Sequence, residues 1–73
     1  MGSLHLITES GPIHIELATE TIDEEMLSTC MEAMRGSRVI EFPDSLAPGA
    51  VARTTVVVNF ARVSVAWIET HSP

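Results

Sequence analysis

His5, His14 and Glu16 offer the first candidate chemistry in this chain. Two imidazoles and a carboxylate are ligands that zinc accepts at about 2.0–2.2 Å. Whether they could act together depends on the strands that carry them. SLHLIT and IHIELAT both alternate, and the turn signal ESGP lies between them, so the pair reads as a hairpin. A four-residue loop over residues 9–12 sets Thr8 opposite Ile13, Leu6 opposite Ile15 and Leu4 opposite Leu17. All regular-face aliphatics then land together. On the outer face Ile7 meets His14, and His5 meets Glu16. His5 and His14 become diagonal neighbours, about 7–8 Å apart, reachable by one ion but not preorganised for it. A solvated polar face or a subunit contact explains them more simply. No metal or other cofactor is expected, and His71 falls in a tail.

The remaining reactive groups point the same way. Cys30 is the only cysteine, which excludes an intrachain disulfide. It lies on the apolar stripe of a helix, whereas a reactive thiol needs an electropositive, partly exposed site. It reads as a buried, inert cysteine. Asp23, Glu24 and Glu25 form an acidic run, explained by a helix N-terminus, where the dipole favours negative charge. Ser28, Ser64 and Ser72 have no His/Asp context for a triad. There is no phosphate loop and no zinc-knuckle spacing. The chain is not expected to be an enzyme.

One helix is expected over residues 22–35. Thr21 and Glu24 fit a capping box, and Gly36 fits the left-handed position after the last turn. Ile22, Met26, Leu27, Cys30, Ala33 and Met34 make one apolar stripe. Met31 falls towards the flank. SRVIEF reads as a strand with Arg38, Ile40 and Phe42 on one face, ended by Pro43. PDSLAPGAVA is a loop by composition, with residues 46–52 as a flexible segment and 70–73 as a frayed tail.

TTVVVNFARVSVAWIE is the long apolar run. Val56, Val58 and Phe60 share one phase, whereas Val63, Val65 and Trp67 share the other. A corner near residues 59–62 would keep both groups on the core side, and Asn59 suits such a turn. An unbroken strand is the alternative. The outer face would then carry Ile7, Val57 and either Ala66 or Ile68.

The resulting fold class is α+β: a small antiparallel or mixed sheet with one helix packed on a face, in the order β-β-α-β-β-β. Seventy-three residues make a single domain, 1–73. So short a chain buries only about 60% of its unfolded surface and usually needs help from disulfides, a metal or oligomerisation. With 45% apolar residues and a mean hydropathy of +0.25, oligomerisation is the favoured route. The formal charge is −6, from ten carboxylates against Arg35, Arg38, Arg53 and Arg62, with no lysine. That balance disfavours nucleic acid and anionic lipid as partners. Small sheet proteins with a cornered last hairpin can form rings of the Sm-like type. A helix after the second strand departs from that order, and the charge opposes such a role. No stretch is long and apolar enough to span a membrane, and MGSLHLITES lacks the features of a signal peptide, so a cytoplasmic protein is expected. MGS reads equally well as native or as a cloning remnant.

Two functions remain from this reading. The first is a non-enzymatic, self-associating interaction or scaffold module, with Ile7, Met31, Arg62 and Trp67 as contact residues. The second is a small acidic regulator, antitoxin- or inhibitor-like, that binds a basic protein partner.

Overall fold

The computed structural model describes residues 2–18 and 20–70, with the Thr70 side chain set aside. Its order is β1 (Gly2–Thr8), β2 (Gly11–Glu16), α1 (Asp23–Gly36), β3 (Val39–Ser45), β4 (Thr54–Asn59), a 3₁₀ corner (Phe60–Arg62) and β5 (Val63–Thr70). This is the expected α+β order, β-β-α-β-β-β, and every strand pairing is antiparallel. The strands form two sheets, β2-β1-β5 and β3-β4. Residues 71–73, which include His71 and most of the expected frayed tail, lie outside the described set.

The first hairpin forms with a different register. Thr8 pairs with Gly11, Leu6 with Ile13, Leu4 with Ile15 and His5 with His14. The loop is two residues, Glu9 and Ser10, rather than four. Thr8 tightens it: its Oγ1 donates to Gly11 O at 2.9 Å and accepts from Ser10 N–H at 3.1 Å. Gly11 takes φ +114°, where a side chain would be strained. Pro12 is tolerated because β2 is an edge strand.

Helix α1 starts with Asp23, Glu24 and Glu25 in its first turn and ends with Arg35 in its last, as dipole complementarity predicts. The capping box does not form. Ile22 is the N-cap, with no side-chain hydrogen bond, and it is exposed rather than part of the core stripe. At the other end Gly36 stays helical and Ser37 takes the left-handed conformation, φ 51°. Arg38 N–H closes onto Ala33 O at 2.9 Å, a carbonyl that the Ser37 N–H also reaches, and so secures the last turn.

β3 does not stop at Pro43. An extra residue between Phe42 and Ser45 shifts its register on β4, and Asp44 takes φ 48°. Ser45 is buried there and donates to Pro43 O at 3.0 Å. Arg38 precedes the strand.

The run 54–69 is two strands. Asn59 Oδ1 accepts from Ala61 N–H at 3.1 Å and starts the 3₁₀ turn. Phe60 N–H donates to Arg38 O at 2.9 Å. Val56, Val58 and Phe60 face the core as expected. β5 departs from expectation. Ile7 pairs with Val65 and Thr8 with Val63, so Ser64 is an extra residue whose Oγ donates to Ile7 O at 3.2 Å. Such a bulge inverts the phase of every later residue in the strand. Val63, Ala66 and Ile68 pack on the core, whereas Val65 and Trp67 face out. The expectation that Val65 and Trp67 are core, and Ala66 or Ile68 outer, is corrected by this one residue.

The core joins both sheets to the helix: Leu4, Leu6, Ile15, Leu17, Cys30, Ala33, Phe42 and Phe60 are buried. The Phe42 and Phe60 rings lie 6.3 Å apart and tilted. Opposite the corner the sheets also meet at an isolated bridge, with Glu16 and Leu46 exchanging backbone hydrogen bonds of 2.9 and 3.2 Å.

Replacing Asn59 by Ala is expected to cost about 1 kcal/mol, as for a lost cap. Asn59→Asp should retain most of that stability. Urea unfolding of the three proteins checks this, and equal midpoints would show that the cap does not hold the corner.

Candidate functional site

The Ser64 bulge and the two-residue hairpin together set the outer face of the three-stranded sheet. Their registers align side chains in three cross-strand rows. Glu16, Ser3 and Glu69 form an acidic row. His14, His5 and Trp67 form the next. Pro12, Ile7 and Val65 form an apolar row. Alternation along each strand makes these residues the outward set, because Leu4, Leu6, Ile13, Ile15, Ala66 and Ile68 are turned to the core.

The middle row is a stacked ladder. His5, on the central strand, lies 5.5 Å from the His14 ring at 20° and 5.1 Å from the Trp67 ring at 9°. These are the centroid spacings of favourable aromatic pairs. Stacking turns ring faces, not nitrogens, towards each other, so the two imidazoles do not converge on a common point. Among the described residues no group of three or more His, Cys, Asp or Glu side chains could hold a metal ion. The diagonal placement expected for His5 and His14 is corrected to a direct pair, and Glu16 is not opposite His5. His5 Nε2 is buried within the ladder and makes no hydrogen bond. The Glu69 carboxylate lies 3.4 Å from it, an ion pair only when the imidazole is protonated.

The four expected contact residues do not form one cluster. Ile7 and Trp67 occupy adjacent rows of the outer face, where Trp67 is 38% exposed. Met31 lies on α1 and is 52% exposed. Arg62 sits in the 3₁₀ corner and its Nη1 donates to Glu9 Oε2 at 2.7 Å, tying the corner to the hairpin tip. Val65 and the two histidines complete the face. The phase of Val65 in the sequence points to the core, and the histidines, weighed there as metal ligands, a solvated face or a subunit contact, are not among the four contact residues.

Two further features frame this face. An apolar groove of about 320 Å³ opens between the sheets, lined by Leu6, Ile13, Ile15, Val56, Val58 and Val63 among others. On the outer side of the second sheet, Val39 and Val57 are exposed. No helix among the described residues is long and apolar enough to cross a membrane. No protein-family model matches the chain, and neither a curated protein nor a solved structure matches it significantly.

Cys30 is buried on the core side of α1, and burial pushes its thiol from 9.0 up to about 11. The folded state therefore holds this proton more tightly than the unfolded chain. The stability it contributes is complete below pH 9 and is lost as pH rises through about 11. Native protein at pH 8 should resist a thiol reagent that labels it in denaturant. Cys30→Ala should remove the part of the alkaline stability loss that falls between pH 9 and 11. Rapid labelling of the native thiol would contradict the buried, protonated assignment.

Proposed function

We propose that this protein is a non-enzymatic interaction module that self-associates. The observation carrying this reading is the outer face of β2-β1-β5. Trp67, Val65 and Ile7 sit there beside a histidine stack, on a surface that a solvated sheet normally fills with polar residues. Aromatic residues are favoured contact anchors because they cover much area at low entropic cost. Chain length supports the same conclusion, since a 73-residue domain gains stability from burying further apolar surface against another copy. The lone, buried cysteine fits a reducing, cytoplasmic setting.

A second reading has its own support. Glu24, Glu25 and Glu32 are exposed on α1, and the acidic row adds Glu16 and Glu69. With a charge of −6, these groups would steer a basic protein partner, as in an acidic regulator. Reversing Glu25 and Glu32 to Lys separates the two. Self-association is expected to survive the reversal, whereas binding to a basic partner would weaken and lose its salt dependence.

Absolute mass by light scattering, over a hundredfold dilution, tests the first reading. A discrete multimer that persists is expected. A single-chain mass of 7.9 kDa at every concentration would overturn it.

A further inference from the structure

Strand β5 has one paired side and one open side, because the sheet order ends at it. Natural edge strands are usually blunted by Pro, Lys, a covering segment or short length. β2, the other edge of this sheet, is blunted: Pro12 interrupts it and Leu46 bridges to Glu16. β5 runs eight residues, Val63–Thr70, with no Pro or Lys. Its only irregularity, the Ser64 bulge, lies at its start.

One hydrogen bond sets the backbone polarity of that edge. Leu17 N–H donates to Gly2 O at 3.1 Å, so Gly2 directs its carbonyl towards β2. Successive strand residues direct their polar groups to opposite sides, so His5 and Ile7 direct theirs towards β5. The Ser64 hydroxyl on Ile7 O agrees. Val65 and Trp67, opposite them, face β1 with their own N–H and C=O. The N–H and C=O groups of Ala66 and Ile68 therefore point out of the open edge.

We propose that β5 pairs antiparallel with β5 of a second copy, about a two-fold axis at Trp67. This rests on the self-association reading and names its surface. In that register Ala66 of each copy lies opposite Ile68 of the other, and each such pair exchanges both N–H···O bonds. Trp67 meets Trp67 in a non-hydrogen-bonded pair, where side chains approach most closely. The His14–His5–Trp67 row then continues into the mirror-ordered row of the second copy. Each Glu69 lands opposite Val65 of the other chain, so no like charges face each other across the new pair. The contact is isologous and closes at two copies. β4 also has an open side, but its outward residues Thr55, Val57 and Asn59 offer no aromatic row to extend.

Three variants test this pairing. Trp67→Cys, mildly oxidised, should form a covalent dimer. Opposed Cα atoms in such a pair are about 4.5 Å apart, within the roughly 4.4–6.8 Å span of a disulfide. Val65→Cys should not cross-link, because its two copies would sit roughly 13 Å apart along the strands. Cys30, buried, does not compete. Ala66→Pro removes an outward N–H while leaving β1 pairing intact, and should halve the wild-type mass with an unchanged circular dichroism spectrum. A wild-type multimer that Ala66→Pro leaves intact and Trp67→Cys does not cross-link would overturn the β5 edge but not self-association. Cross-linking at Val65 would overturn the register. A wild-type monomer would overturn both. If Ala66→Pro fails to fold, the two cysteine variants decide alone.

Discussion

Neither sheet of this protein could stand alone, and the shared core is the constraint on which everything else depends. β3-β4 is a two-stranded ribbon, marginal in water even with a good turn. β2-β1-β5 has an apolar inner face that needs a cover. Phe42 from one sheet and Phe60 from the corner meet over Leu4, Leu6 and Ile15, and α1 closes the core with Cys30 and Ala33. The 3₁₀ corner makes this possible. It carries the chain from one sheet to the other within three residues while keeping Phe60 inside. Asn59 and the Arg62–Glu9 ion pair hold its two sides. The ion pair is exposed and contributes on the order of 0–1 kcal/mol, so the buried ring of Phe60 outweighs it.

Much of this is legible in the sequence, and the limits have physical causes. The corner can be read because Val56, Val58 and Phe60 are out of phase with Val63, Val65 and Trp67, and Asn59 marks the break. The helix can be read from its stripe and its first-turn carboxylates. Patterning assigns the hairpin faces correctly even with the wrong register, because a slip of two residues leaves every side chain on its own face. Such a slip changes only who sits beside whom, and hydrophobic patterning is blind to that. The signal that distinguishes the registers is local: a Thr8 hydroxyl able to bond both Ser10 and Gly11, which favours a two-residue loop.

Bulges account for the rest. Around Ser64 the phase of Val63, Val65 and Trp67 is the more apolar, so the pattern points Trp67 inward, although Ala66 and Ile68 give the other phase an apolar character too. Around Asp44 the proline suggests an end where the strand bends and continues. An inserted residue leaves no periodic trace of its own. Its consequences are nevertheless large: the Ser64 bulge turns Ala66 and Ile68 inward and delivers Trp67 to the surface beside His5.

The same bulge links the fold to the proposed interaction face. A large indole inside this core would have to displace part of the packing around Phe60, and densely packed interiors tolerate added volume poorly. With Ala66 and Ile68 inside, the core is filled by smaller side chains and the indole is left on an edge strand. Acidity does not oppose a contact there as strongly as a charge of −6 suggests. Glu69 and Glu16 lie in the cross-strand row on one side of the Trp67 row, and Val65 and Ile7 lie in the row on the other side. Charges on exposed helix residues such as Glu24 and Glu32 are screened within about 8 Å at physiological salt. Helix charges that lie more than that distance from Trp67 therefore add little repulsion between copies meeting at this edge.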